Sequence, residues 1–332
     1  MGNLLTDNYG RTLNYLRVAV TDRCNLRCTY CMPEEGINFV SRQELLDYEE
    51  LIRLLRIFVK MGTKKIRLTG GEPFVRKDLM VFLEMISELE GLEQWSITTN
   101  GTNTSRHIPD LKRLGVHSVN LSLDTLDKER FAKMTRRDRF PFVWKTLENL
   151  VEHEINTKVN MVVMKGVNTE DLVPMAALTK EMPIEVRFIE EMPFNGGDHQ
   201  SANTTWSYQQ IREELENGFG PLEELSTPAN STALLYKIPG SRGNLGIIPA
   251  FSRTICQSCN RLRLTPQGVI KTCLYDTGVF NMRDLIRAGA TDEQVMDAIG
   301  EAVKMKARDG FEAEKISQRN FGSFESMTTI GG

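Results

Sequence analysis

Six cysteines stand in two well-separated groups of three, and their spacing is the first chemistry that the chain offers. Cys24, Cys28 and Cys31 form C-x3-C-x2-C, and Cys256, Cys259 and Cys273 form C-x2-C-x13-C. Three thiolates this close in sequence can converge on one face of a loop and hold three corners of a 4Fe-4S cube, leaving the fourth iron open for chemistry. A structural zinc site wants four ligands, and a disulfide would strand the third cysteine. Buried inert thiols keep apolar company, whereas Asn25, Arg27 and Thr29 lie within the first group. A zinc hairpin is the rival reading of the second group, since such sites often begin C-x2-C. It lacks a fourth ligand, because the other cysteines are committed and His107, His117, His153 and His199 lie in the earlier half or at its edge. A second three-cysteine cluster, its open iron able to hold substrate, fits better.

The 332 residues carry a formal charge of −3 with acids and bases well mixed, so neither nucleic acid nor a membrane surface is indicated as a partner. No apolar run approaches a membrane span and the N-terminus has no signal-peptide core, so a cytoplasmic location is expected.

The elements that must position the cysteines follow from periodicity. Alternating apolar runs recur at 15–20, 65–69, 95–99, 118–123, 158–164 and 185–189, each followed by a helical pattern. Asp47 and Glu50 make a capping box for the first helix, Leu51, Leu54, Leu55 and Phe58 its stripe, and Gly62 its end. Repeated strand–helix units imply a parallel sheet; periodicity alone leaves a barrel and an open sheet both standing. Reactive groups gather where parallel strands end. There the chain places the first cysteine loop, Gly70-Gly71-Glu72-Pro73, then Thr98, Thr99 and Asn100, then Ser122 and Asp124. Leu16, Val18, Ile66, Leu68, Val159 and Met161 must face the helices, which leaves Arg17, Lys65, Arg67, Lys158 and Arg187 on the opposite, lumenal faces. Converging cations repel unless an anion joins them, and a polyphosphate would satisfy that demand. The competing reading pairs them with Glu185, Glu190 or Glu191.

A change of pattern after Met192 divides the chain into 1–217 and 218–332. In the later part 261–264 and 269–272 read as a hairpin around Pro266-Gln267-Gly268. It returns Cys273 beside Cys256 and Cys259 and projects Arg261 and Arg263 from one face. The segment 317–332 is polar and glycine-containing, and mobility is expected there.

The C-x3-C-x2-C loop with an aromatic residue, Tyr30, before its last cysteine resembles the radical S-adenosylmethionine (radical SAM) superfamily. The resemblance implies an α/β fold, a partial (β/α)6 TIM-like barrel with a C-terminal α+β extension carrying the second cluster. It implies that Cys24, Cys28 and Cys31 hold a cluster whose open iron chelates SAM and whose electron yields a 5′-deoxyadenosyl radical. Tyr30, Gly70, Gly71, Glu72, Ser122 and Met192 would border SAM. The late C-x2-C-x13-C, the run Asn260-Arg261-Leu262-Arg263-Leu264 and the terminal Gly331-Gly332 are similar to the GTP 3′,8-cyclases of molybdenum cofactor biosynthesis. That similarity runs end to end. It implies conversion of GTP to (8S)-3′,8-cyclo-7,8-dihydroguanosine 5′-triphosphate, with Cys256, Cys259 and Cys273 on the second 4Fe-4S cluster. Arg17, Lys65, Arg67, Thr98, Lys158, Arg187, Arg261 and Arg263 would surround GTP, and Arg17, Gly331 and Gly332 would serve catalysis, Arg17 beside the tail. A low-potential electron donor of the flavodoxin or ferredoxin type and a downstream cyclic pyranopterin monophosphate synthase are the implied partners, with either a monomer or a homodimer allowed. Guanine and the 3′ position come from resemblance alone. Two other readings stand beside this one: a radical SAM peptide-modifying enzyme with an auxiliary cluster, and a non-catalytic metal-containing nucleotide-binding regulator.

Overall fold

A computed structural model describes residues 5–192, 194, 206–228, 230–321 and 326–331. Six strands, β1 (Tyr15–Ala19), β2 (Lys65–Thr69), β3 (Gln94–Thr99), β4 (Ser118–Ser122), β5 (Thr157–Val163) and β6 (Glu185–Glu190), follow one another in parallel register. Between them run α1 (Tyr48–Lys60), α2 (Leu79–Ser87), α3 (Ile108–Arg113), α4 (Lys128–Thr135), α5 (Phe140–Glu152) and α6 (Leu172–Glu181). Helix α7 (Tyr208–Phe219) leads to β7 (Glu223–Glu224), β8 (Leu234–Lys237), β9 (Asn244–Ile248), β10 (Arg261–Leu264), β11 (Val269–Lys271) and β12 (Phe280–Asn281). The chain closes with α8 (Met282–Arg287), α9 (Asp292–Lys304), α10 (Gly310–Phe321) and α11 (Met327–Ile330).

All strands join one 12-stranded sheet in the order β12-β11-β10-β1-β2-β3-β4-β5-β6-β9-β8-β7. The later region therefore extends the sheet at both edges: β10 pairs parallel with β1, and β9 pairs parallel with β6. The division expected at 217/218 falls within α7. The expected strands are all present, displaced by at most a residue or two at their ends.

The helix-facing surface is built as the alternation requires. Leu16, Val18, Ile66, Leu68, Val159 and Met161 are fully buried, the first four in one apolar core with Leu51, Leu54, Leu55 and Phe58 of α1. Asp47 caps α1 by accepting from Glu50 N at 2.7 Å, and the Glu50 carboxylate accepts from Asp47 N at 2.9 Å. Gly62, at φ +103°, ends the helix in a conformation that side chains rarely adopt.

His199 lies outside the described residues. The segment at 317–332, expected to be mobile, instead contains a short helix whose Thr328 and Ile330 are buried, as is Gly331. Tertiary contact overrides composition here. Ser326 donates to the Cys31 carbonyl at 2.6 Å, Met327 N donates to Phe194 O at 2.8 Å, and Ile330 packs with Phe194 and Tyr275. Gly332 is not among the described residues.

Removing the Phe58 ring leaves a cavity in a fully packed core, so Phe58→Ala is expected to cost ~3–5 kcal/mol of unfolding free energy. Asp47→Ala removes only the cap at an exposed helix end and is expected to cost about 1 kcal/mol. Urea unfolding of the apo-protein checks both; equal losses would contradict the assignment of α1 as a core-packed, rather than locally stabilised, helix.

Candidate active site

Both cysteine groups and the arginines of the strands line a single cavity of about 290 Å³. The first group sits on the loop after β1. Cys31 N donates to Cys28 O at 3.0 Å, and Met32 N to the same carbonyl at 3.2 Å, which winds the loop into a turn. The second group brackets the β10–β11 hairpin, whose antiparallel register places Arg263 opposite Lys271 and brings Cys273 back to the cavity wall. None of the six cysteines is in a disulfide.

The residues present fit iron–sulfur clusters. Cys24 Sγ accepts from Leu26 N at 3.4 Å and Asn100 Nδ2 at 3.6 Å, and Cys259 Sγ accepts from Arg261 Nε at 3.4 Å. Donors aimed at sulfur are how a protein tunes such a cluster. Among the described residues no three His, Cys, Asp or Glu side chains converge tightly enough to share one ion.

The two centres differ at one thiol, since burial raises Cys256 and Cys273 as it raises the first group. Burial pushes the thiols of Cys24, Cys28 and Cys31 up, Cys24 to about 11, and the Glu72 and Asp124 carboxyls add to it. Burial opposes ionisation at Cys259 too, but Lys306 and Arg261 overcome it and bring that thiol down to about 6.

Asp124 and Glu72 are themselves buried acids. Burial raises Asp124 to about 6 although it accepts from Val162 N at 2.8 Å and from the Tyr30 hydroxyl at 2.7 Å. The latter bond fixes Tyr30 in the cavity wall. Burial likewise raises Glu72 to about 7, while its carboxylate accepts from Asn100 N, Thr99 Oγ1 and Phe74 N at 2.6, 2.8 and 3.1 Å.

Of the residues expected to border SAM, Tyr30, Gly70, Gly71, Ser122 and Met192 line the cavity. Glu72 does not. Its side chain is fully buried and spent on the β3 loop, so it positions Thr99 and Asn100 instead of facing the lumen. The two glycines also have a reason besides ligand approach. A Cβ at Gly70 would stand 2.4 Å from Thr21 O, and one at Gly71 only 2.3 Å from Arg23 O. Gly71 N donates to Thr21 O at 2.7 Å and Glu72 N to Arg23 O at 2.8 Å, so the bare backbone clasps the start of the first cysteine loop.

Of the residues expected around GTP, Arg17, Arg67, Thr98, Arg187, Arg261 and Arg263 line the cavity. Strand register places Arg263, Arg17 and Arg67 side by side on β10, β1 and β2. None of these three makes an ion pair among the described residues, and Arg17 Nε is buried without a partner, as are Thr69 Oγ1 and Asn160 Oδ1 in the same walls. With its amide oxygen turned toward Arg67, Asn120 accepts from Nη1 at 2.7 Å. Lys65 and Lys158 are not among the cavity-lining residues. Lys65 lies over the Tyr15 ring at 5.2 Å, and Lys158 meets Glu185 at 3.8 Å. Glu185 also pairs with Arg187, so the competing reading of acid-paired cations holds on that side of the lumen. Gly331 enters the same space. Its carbonyl accepts from Arg263 Nη1, and a Cβ there would stand 2.5 Å from Thr69 Oγ1. Arg17, the expected neighbour of the tail, stands beside Arg263 on the adjacent strand.

Residue pattern missed several contributors. Glu190, buried at the end of β6, accepts from Tyr208 N, Ser252 N and the Ser252 hydroxyl, each at 2.7 Å, and so ties the approach to the second cysteine group to the barrel. Arg253 and Lys306 are also buried near that group. Asn160, which lines the cavity, shares the Lys158 face of β5, and that alternation is the signal that finds it.

A parallel sheet that stops short of closure, with three thiols on the loop after its first strand, defines the radical SAM class, and the model of the radical SAM superfamily matches residues 18–179. A model described as Molybdenum Cofactor Synthesis C matches residues 184–311. Among curated proteins, a GTP 3′,8-cyclase of Desulforamulus reducens is 39% identical over 304 residues, covering 91% of this chain and 94% of its own. Molybdenum cofactor biosynthesis protein 1 of Bos taurus is 43% identical over 315 residues, covering 95% of this chain and 50% of its own. The human protein of that name is 42% identical, with 49% of it covered; the chain thus spans about half the length of these relatives. The chain belongs to the GTP 3′,8-cyclase family of the radical SAM superfamily. Solved structures agree on the fold. Streptococcus suis SuiB bound to S-adenosylmethionine superposes with a TM-score of 0.60 at 15% identity, over 85% of this chain and 66% of that one.

Gly71→Ala is expected to push the Arg23 carbonyl away and loosen the first cysteine loop, so that anaerobic reconstitution fills the second centre and not the first. Iron and sulfide counting checks this; undiminished loading of both centres would show that the clasp is dispensable.

Proposed function

We propose that the chain converts GTP to (8S)-3′,8-cyclo-7,8-dihydroguanosine 5′-triphosphate with SAM and two 4Fe-4S clusters, the first step of molybdenum cofactor biosynthesis. The observation that carries the reading is the single cavity lined by both thiol trios and by the arginine row between them. Cys24, Cys28 and Cys31 would hold one cluster, and Cys256, Cys259 and Cys273 the other. When bound, the first cluster supplies the electron that cleaves SAM, and the second offers an open iron to the substrate.

The chain's own residues divide the remaining work. Arg263, Arg17 and Arg67 present adjacent guanidinium groups to a triphosphate, which carries about four negative charges near neutral pH. Arg187, Thr98 and Arg261 complete the polar wall around GTP, and Lys65 and Lys158 share its strand faces. Tyr30, held by Asp124, together with Gly71, Ser122 and Met192, borders SAM. Gly331, against Arg263 and Thr69, brings the tail to the same cavity, where Gly331 and Gly332 would help to orient substrate with Arg17. A cytoplasmic setting, a flavodoxin- or ferredoxin-type donor and a cyclic pyranopterin monophosphate synthase acting next are parts of this reading supported by family membership alone. Among the described residues no helix is long and apolar enough to cross a membrane.

The test is anaerobic incubation of the reconstituted protein with dithionite, SAM and GTP. Deoxyadenosine and a cyclised nucleotide are expected. Hydrogen abstraction independent of GTP would favour a peptide-modifying enzyme, and no deoxyadenosine at all a regulator. Alanine at Arg17 or Arg67 is expected to weaken GTP binding roughly tenfold or more while sparing SAM, since charge-assisted contacts contribute ~1.5–3 kcal/mol each. Deleting Gly331 and Gly332 should leave both clusters and SAM binding intact while suppressing the cyclised product; full turnover by that variant would leave the tail without a role.

A further inference from the structure

Lys306 is a buried charge that neither the phosphate site nor the SAM site uses. It is 4% exposed and makes no ion pair among the described residues. Its ammonium donates instead to two backbone carbonyls, Arg261 O at 3.1 Å and Thr272 O in a shorter bond. Those carbonyls are not arbitrary. Arg261 follows Cys259 by two residues, and Thr272 immediately precedes Cys273, so one ammonium spans the open end of the hairpin that carries two of the three thiols.

Burying a cation without a carboxylate is costly, and neutral carbonyls offset only part of that cost. Such a charge is best explained by an anion that it serves, and both carbonyls that it holds lie within two residues of a cysteine of the second group. The other charged groups around this centre do not cancel it. Arg261 contacts Cys259 Sγ, Arg11 donates to Cys256 O at 3.1 Å while paired with Asp7, and Arg253 pairs with Glu314. Asp276 is the opposing charge, and it is engaged by Thr272 N and Cys273 N, both at 2.7 Å. In the walls of the first centre the buried carboxyls are Asp124, bonded to Tyr30, and Glu72, bonded to Thr99 and Asn100.

We infer that Lys306 is a positioning residue of the second thiol centre, bracing the hairpin ends and supplying a fixed positive charge that makes the cluster there easier to reduce. The inference rests on the reading that Cys256, Cys259 and Cys273 hold a cluster, and the experiment separates the two. Iron counting and electron paramagnetic resonance of the wild-type protein come first; absence of a second cluster would refute that reading. With two clusters present, the midpoint potential of each is measured in the wild type, Lys306→Gln and Lys306→Arg. Gln keeps a donor for the carbonyls without the charge, and Arg keeps the charge. Lys306→Gln is expected to disfavour the reduced second cluster at least tenfold, a shift of about 59 mV to more negative potential for one electron, with the first cluster unmoved. Lys306→Arg is expected to stay near the wild-type value. A Lys306→Gln potential equal to the wild type's, or an equal loss in both variants, would overturn the proposal. Hydrogen exchange on the apo-proteins reads the brace itself. Faster exchange across 261–273 in Lys306→Gln is expected, and identical exchange would remove that part of the inference.

Discussion

Like charge held side by side is the constraint on which this molecule turns. Parallel register sets Arg263, Arg17 and Arg67 on three neighbouring strands and one face, where burial, and after it the mutual repulsion of the guanidinium groups, pulls Arg67 to about 10 and Arg263 to about 9. Side chains so placed destabilise a sheet unless something else holds it. Here the opposite face does so. Leu16, Val18, Ile66, Leu68, Leu262 and Leu264 are almost wholly buried against the helices and leave the strands no freedom to turn their charges to water. A one-residue slip would relieve the repulsion only by sending the arginines into the apolar core. The lumen's appetite for anions is thus enforced from outside by its hydrophobic shell.

The same shell made much of the fold readable from sequence. Six strands and the hairpin follow from strict alternation, and α1 from its stripe and capping box, because each records burial directly. The arginines were legible as the complement of that pattern. Lys65 and Lys158 obeyed the pattern too and yet lie outside the cavity wall, since alternation assigns a face but not a depth along the strand. Glu72 shows a different limit. Its position after β2 marks it as a mouth residue, but whether a carboxylate at the mouth points to ligand or to a neighbouring loop depends on donors 27 and 28 residues away, at Thr99 and Asn100.

The roles of Glu190, Arg253 and Lys306 were not legible, Glu190 having been offered only as a partner for the lumenal cations. Each is a single charged residue in an unremarkable local setting, and each acquires meaning from a partner far along the chain: Ser252 for the first, Glu314 for the second, Arg261 and Thr272 for the third. The tail misled for the converse reason. Polar composition with glycine reads as disorder when the segment is weighed alone. The burial of Ile330 and the fit of Gly331 between Thr69 and Ala19 are properties of the receiving surface, not of the segment.

The placement of β10 beside β1 carries a further consequence for how the chain assembles. Strand β1 lies between β2 and β10, and its Leu16 waits for Leu262 before its second edge is closed. Until then the strand that launches the first cysteine loop presents unpaired backbone and an apolar side to whatever is nearby, a template for pairing with another chain. Contacts of such sequence separation form slowly. A nascent or truncated chain that stops after β9 therefore leaves that edge of β1 unpaired.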